Sequence, residues 1–280
     1  MIRILVLVLA LVSTSAFAQE FQGIATYKTK RHIDIKLDST KANDAMRQQM
    51  IEMMKKQFEK TFTLSFNKSE SIYKEEESLS KPQVGGIGGD FQIMTIGSGG
   101  GGDIYYKNTA ENRYVNQTDT YGKIFLIKDD IEKREWQLEP QTKYIGEYLC
   151  HEATLTEEYE YTEMRRSSDE DKEPETTMRE RVITAWYTLQ IPVNSGPADY
   201  QGLPGLIMEI DVDNGKQSIL CSKIVLNPKD QVDIKEPSKG KEISQKDFDD
   251  VMEKKSKEMM ERFRPRNGRE GESIEIRIGG

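Results

Sequence analysis

Short runs in which apolar and polar residues alternate recur along this 280-residue chain, and turn residues separate them. The first occupies residues 21–37, where Ile24, Thr26 and Lys28 alternate with Ala25, Tyr27 and Thr29, and Ile33 and Ile35 continue the period. Residues 61–67 and 71–75 follow as a pair across a tight turn near Asn67-Lys68. Residues 104–108, 113–118 and 123–128 come next, with turn residues at Asn108, Asn112 and Tyr121-Gly122. Trp136-Gln137-Leu138 opens another run, Pro140-Gln141-Thr142 interrupts it and 143–155 resumes it. Residues 179–188, 206–212 and 217–226 complete the series, the last two flanking Asp213-Asn214-Gly215, whose Asn-Gly step is the strongest hairpin signal in the chain. A period of two is what a strand with one buried face requires, and parallel βαβ units would need far more helix between strands. The expected fold is therefore mainly β (α+β): a curved antiparallel sheet or partly open barrel, with one helix in the N-terminal half and one at the C-terminal end.

The N-terminal helix is expected over residues 41–60, capped by Ser39 or Thr40, with Met46, Met50, Met53, Met54 and Phe58 on one face. Thioether sulfur is a soft copper(I) ligand, but a methionine stripe more often supplies adaptable packing against a sheet. The C-terminal helix is expected to start at Ser244 as cap, to bury Phe248, Val251, Met252, Met259 and Phe263, and to end at Pro265. An alternating stretch at 272–278 adds one edge strand. Two segments interrupt the β domain of 19–238. Residues 81–102 are glycine-rich, with Phe91, Ile93, Met94 and Ile96 in their midst; they precede a strand rather than a helix, so they make no dinucleotide site. Residues 157–181 are densely charged and read as a solvated hairpin tip or disordered loop.

The start of the chain has a positive Arg3, nine apolar residues from Ile4 to Val12, and Ala16-Phe17-Ala18 before Gln19. This is the pattern of a secretory signal peptide over residues 1–18, too short to remain as a membrane span. The expected mature protein begins at Gln19 and is periplasmic or secreted, with no lipid anchor or membrane span. With 40 basic and 48 acidic side chains the net charge is −8, which disfavours nucleic acid as a partner. The partner expected instead is an envelope protein or ligand that the sequence does not name.

Cys150 and Cys221 are the only cysteines. In an oxidising compartment a lone pair is expected to form a disulfide, worth about 4 kcal/mol by loop-closure entropy. The alternative is a thiol-metal site using the adjacent His151, for which the chain offers only His32 as a further imidazole. Complete catalytic constellations are missing: His151-Glu152 lacks the second histidine of a zincin, no G-x-S-x-G elbow occurs, and nothing selects two of the 48 carboxylates. The expectation is no cofactor, no metal and a binding or assembly role, with a carboxylate hydrolase or a copper/zinc-handling protein as alternatives.

The most specific string is Ala185-Trp186-Tyr187-Thr188, then Ile191-Pro192-Val193, Gly196-Pro197 and the hexapeptide Gly202-Leu203-Pro204-Gly205-Leu206-Ile207. Leu203, Leu206 and Ile207 are too apolar to be left together in water, and Pro204-Gly205 fits the centre of a type II turn with positive φ at Gly205. Trp186 is expected to pack nearby. The unbroken hexapeptide, with Phe21-Gln22-Gly23 to Tyr27 and the 143–153 stretch, resembles the GLPGLI family, secreted proteins of Gram-negative Bacteroidota. That resemblance implies an extracytoplasmic compartment and a β fold. The family has no established activity to carry over.

Overall fold

The computed structural model describes residues 21–36, 48, 52, 59–76, 103–163, 175–262 and 275–278. The expected signal peptide, nearly all of the helix expected at 41–60 and the glycine-rich segment at 81–102 lie outside the described residues. Within them the chain forms β1 (Gly23–Arg31), β2 (Ile33–Lys36), β3 (Thr61–Phe66), β4 (Glu70–Glu75), β5 (Ile104–Asn108), β6 (Arg113–Thr120) and β7 (Lys123–Asp130). It continues with β8 (Gln137–Ile145), β9 (Tyr148–Glu163), β10 (Glu175–Thr188), β11 (Leu206–Val212), β12 (Gln217–Leu226) and β13 (Lys241–Ile243). Helix α1 (Gln245–Arg262) and β14 (Glu275–Ile278) complete it.

Twelve strands make one open sheet in the order β13-β7-β6-β5-β4-β3-β1-β12-β11-β10-β9-β8. Two meanders meet in its middle. One runs outward from β1 through β7, the other inward from β8 through β12, and the pairing of β1 with β12 over Gly23↔Leu226 to Arg31↔Gln217 joins them. All pairings in this sheet are antiparallel except that of β13 with β7. A twisted open sheet of this width curls rather than staying flat. The curl is visible in contacts that skip strands: the Tyr27 hydroxyl on β1 donates to the Ile207 carbonyl on β11 at 2.7 Å, past the intervening β12. The expected mainly β fold with a curved, open sheet matches this architecture.

The core lies in the concavity of the second meander and its junction with β1 and β3. Period-two burial places Ala25 and Tyr27 of β1 there, together with Leu64 and Phe66 of β3, Ile183 and Ala185 of β10, and Leu206, Ile207 and Ile210 of β11, whose first three residues are all buried. Gly23 is required by close approach, because a Cβ there would come within 2.5 Å of the Phe66 ring. The Asn-Gly turn forms as expected, with Asp213, Asn214 and Gly215 at φ of 50°, 54° and 89° between β11 and β12.

Two elements differ from the sequence reading. Of the charged stretch 157–181, read as a solvated hairpin tip or disordered loop, the described parts are the paired arms of a hairpin, with strand running further out than expected: β9 and β10 stay in register from Tyr187↔His151 to Glu175↔Glu163. Alternating Thr, Tyr and Arg with Glu gives such a ribbon β propensity and cross-strand pairs, as in Arg181 opposite Glu157, which outweigh its polarity. The C-terminal stretch does not extend the main sheet. β14 pairs with β2 in a separate two-stranded sheet, Ile276 opposite Ile35.

Helix α1 begins as expected. The Ser244 hydroxyl accepts from the Asp247 amide at 3.1 Å, an N-cap bond, and donates to the Asp247 carboxylate at 2.8 Å, with aspartate in the third helical position. The helix sets Phe248 edge-on against Phe125, ring centroids 5.4 Å apart, over a small cluster of Tyr114, Phe125 and Ile127.

Candidate functional site

Between β10 and β11 the chain leaves the sheet for residues 189–205, the loop that carries most of the diagnostic string. Ile191 and Val193 are buried with Leu203 between exposed Pro192, Asn194 and Pro204, so the loop keeps an inward apolar side without being a strand. It folds back on itself through the Leu206 amide to the Ile191 carbonyl at 2.9 Å and the Ile207 amide to the Ser195 carbonyl at 3.0 Å. The Asn194 side chain accepts from the Gly202 amide at 2.6 Å.

Lys107 of β5 holds this loop. Its Nζ donates to the carbonyls of Gly196, Ala198 and Tyr200 at 3.0, 2.9 and 2.9 Å, which uses all three ammonium hydrogens. The residue is 1% exposed, and β5 stands five places from β11 in the sheet, so this one side chain ties the first meander to the loop of the second. Burial pushes its amine down to about 7, with the Asp199 carboxylate opposing and the Arg134 guanidinium reinforcing that fall.

A second set of ties comes from the link between β7 and β8. Arg134 donates to Glu157 of β9 at 2.6 Å and to Asp199 of the loop, and its guanidinium lies 4.8 Å from the Tyr200 ring centroid. Arg181 of β10 reaches the same Glu157 at 2.9 Å. Trp136 donates its indole N–H to the Gln201 carbonyl at 2.8 Å, and Gln201 returns a side-chain N–H to the Glu132 carbonyl at 2.8 Å.

Within the hexapeptide Leu203, Leu206 and Ile207 are buried, while Gly202 and Pro204 are exposed. The positive φ falls on Gly202, at 98°, and not on Gly205 as the type II turn reading expected. Gly205 is needed for space instead: a Cβ there would lie 2.0 Å from the Thr188 carbonyl oxygen and 2.7 Å from its carbon. Backbone meets backbone at that point, and no side-chain motion relieves it. Trp136 and Trp186 both pack against the core that holds Leu203, Leu206 and Ile207, and the Trp136 ring lies 3.4 Å from where a Gly202 Cβ would stand. Trp186 sits opposite Glu209, and the Lys143 ammonium lies 4.3 Å over its ring while also pairing with Glu209 at 2.7 Å.

Cys150 and Cys221 are free thiols, a correction to the expected disulfide. Both belong to the main core, but β10 and β11 stand between their strands. They are near enough for Cys150 to reinforce the raised proton affinity of Cys221, yet no bond joins them. Each thiol donates instead to a carbonyl of its own strand, Tyr148 and Lys223, both at 3.6 Å. Burial pushes Cys150 up to about 11 and Cys221 up to about 12. His151 packs against the Tyr187 ring at 5.8 Å, and among the described residues no three His, Cys, Asp or Glu side chains converge as metal ligands.

Two other places carry polar groups. Asp103 before β5 has its carboxyl held above the usual range by burial, one oxygen lacks a partner, and the charges of Lys60 and Glu75 act on it. An open cleft of about 440 Å³ is lined by Gln22, Asn67, Glu70, Gln231, Val232, Asp233 and Ile234. Its polar groups largely satisfy one another, with Glu70 accepting from both Tyr106 at 2.5 Å and Asn67 at 3.1 Å. The sequence reading had singled out neither of these places, nor Lys107. Lysine in an alternating Tyr105-Tyr106-Lys107-Asn108 strand carries no local sign of burial.

Residues 136–209, from Trp136 through the whole 189–205 loop to Glu209, match the model of a family described as a protein of unknown function (Porph_ging). No curated protein matches the chain. Among solved structures, PNGF-II in a C2 crystal and in a P21 crystal is similar, each with a TM-score of 0.48 and 14% identity. The matches cover 84% and 83% of this chain and 33% of PNGF-II in each case, so the chain spans about a third of that protein's length.

Proposed function

We propose that this chain is an exported, non-enzymatic binding or assembly module of the bacterial envelope, of the GLPGLI kind, with residues 1–18 as its signal peptide. The hexapeptide at 202–207 supports the family and the compartment. The binding role rests on the edge of the sheet at β8. Among the described residues that strand pairs with β9 on one side only, and its large apolar side chains Leu138 and Tyr144 are 63% and 72% exposed, with Leu149 of β9 opposite Tyr144. An exposed strand edge with apolar side chains takes an added strand from a partner. Pro140 has no amide hydrogen, and the register of β8 on β9 breaks between Leu138 and Thr142, so the stretch open to pairing is 142–145. The partner is accordingly an extended segment of an envelope protein with apolar residues at alternate positions.

The test is capture from envelope extracts with the mature parent, Tyr144→Lys and Thr142→Pro. The reading expects one envelope protein retained by the parent and lost by both variants at unchanged unfolding midpoints; equal capture by all three would overturn it. A second reading, a carboxylate hydrolase, is favoured by the buried carboxyl of Asp103, which burial holds above its usual range and on which the Glu75 charge acts, since a carboxyl that keeps its proton suits general-acid work. Turnover of a peptide, ester or glycoside substrate that Asp103→Asn abolishes would establish it.

A further inference from the structure

We infer that the β8 edge pairs with the β8 edge of a second copy of this chain, antiparallel, about a two-fold axis at Gln141. This rests on the edge reading above and names the partner that the edge takes. Residues 137–145 run Gln-Leu-Glu-Pro-Gln-Thr-Lys-Tyr-Ile, a string complementary to its own reverse. With Gln141 opposite the copy's Gln141, Leu138 meets the copy's Tyr144 and Glu139 meets the copy's Lys143. Two-fold symmetry makes each pair occur twice, as an isologous contact requires. Leu138 and Tyr144 are the most exposed large apolar side chains among the described residues, and this register covers both with each other.

The faces agree. Leu138 and Thr142 lie opposite Ala153 and His151, two residues apart on a β9 whose register with β10 is unbroken there, so both point to one face, and Tyr144 follows two residues on. Four steps of β8 answer two of β9 across the break, an even excess that displaces the strand without turning it over. The charged pair falls on the other face, where Glu139 accepts from the Thr154 hydroxyl at 3.2 Å and Lys143 lies opposite Cys150. Residues opposite one another in an antiparallel pair share a face, which is what both contacts need.

Backbone and charge then favour a copy over any other strand. Glu139, Pro140 and Gln141 have no register partner on β9, so the axis falls where the ladder is incomplete. Pro140 withholds one amide from each half of the new ladder, and residues 142–145 of each copy supply most of its bonds. A proline, a lysine and a register break are what an edge carries against indiscriminate pairing. A copy of the same strand answers them: the break falls at the axis, and the lysine meets a glutamate. Lys143 bonds Glu209 at 2.7 Å and has ammonium hydrogens left for the copy's Glu139, whose carboxylate has acceptor sites beyond the one that Thr154 uses. A contact of one strand per copy is small, so the dimer is expected to dissociate at on the order of tens of micromolar.

The experiment is analytical ultracentrifugation of the purified mature chain from about 1 to 300 μM, a range that brackets so small a contact, with Glu139→Lys and Lys143→Glu run singly and mixed in equal amounts. The parent is expected to dimerise reversibly, and each variant alone to do so at least about tenfold more weakly, because like charges then stand opposite. The mixture is expected to regain the parent's affinity, since charges are opposite again across a mixed dimer. A parent monomeric throughout, variants that dimerise as the parent does, or a mixture no tighter than its components would overturn the inference. Should Lys143→Glu fail to fold without its Glu209 contact, Gln141→Cys decides. It is expected to form a disulfide-linked dimer that Gln137→Cys, which faces the copy's Ile145, does not; equal linkage at both positions would overturn it. A parent that stays monomeric yet retains a different envelope protein through Tyr144 would remove the second copy and leave the edge reading standing.

Discussion

At the scale of single residues, two glycines of one hexapeptide are required for different physical reasons, and the difference is measurable. Gly202 has a left-handed backbone with a tryptophan edge beside it, so Gly202→Ala is expected to cost about 1 kcal/mol. Gly205 has an ordinary φ but touches the Thr188 carbonyl, so Gly205→Ala must move β10 away from the loop and is expected to cost about 3 kcal/mol or more. Urea unfolding of both variants checks the order, and a smaller loss at Gly205 would contradict the close approach. The two thiols make a second prediction. Both are held above their ordinary range by burial, so they stay protonated in the fold while unfolded thiols ionise near pH 9. The unfolded chain then binds fewer protons, and the stability the thiols supply is present below pH 9 and lost as pH rises toward 11 and 12. The loss is up to about 1.4 kcal/mol per pH unit for each thiol. Stability measured from pH 8 to 11 should fall more steeply in the parent than in the Cys150→Ala/Cys221→Ala double variant.

At the scale of elements, local chemistry sets where strands and helices begin, and tertiary contacts set what they serve. The N-cap at Ser244 is such a local device. Ser244→Ala should cost about 1 kcal/mol through the lost acceptor for the Asp247 amide, read as a lowered midpoint of thermal unfolding. Phe248→Ala should cost more, about 3 kcal/mol, because it removes the ring that α1 sets against Phe125. A Phe248→Ala variant as stable as Ser244→Ala would mean that the helix rests on the sheet without being anchored to it. The β9–β10 ribbon illustrates the opposite case. Its charge density suggested a solvated hairpin tip or disordered loop, and the described residues form the arms of a hairpin: strands continuing outward from a well-paired sheet propagate with little extra ordering cost, and Arg181 opposite Glu157 reinforces the register.

At the scale of the molecule, two antiparallel meanders share one central pairing and are held a second time by the 189–205 loop. Lys107 from β5, Arg134 and Trp136 from the link before β8, and Tyr27 from β1 all converge on that loop or on the first turn of strand after it. The two buried thiols belong to this core, so the native protein is expected to resist thiol reagents and to yield two reactive thiols after unfolding without reductant. A mass lower by two hydrogens in non-reduced peptides would restore the disulfide. Much of this was legible beforehand: the period-two runs, the Asn-Gly hairpin, the Ser244 cap and the burial of Leu203, Leu206 and Ile207 all follow from interactions within a few residues of chain. Strand order, the free thiols, the clash that requires Gly205 and the burial of Lys107 do not. Each depends on which segments distant in sequence the curled sheet brings together: β5 beneath a loop some ninety residues later, or β9 and β12 each bringing a cysteine into one core. Periodicity specifies which face of a strand is buried; only closure of the tertiary structure decides what lies against that face.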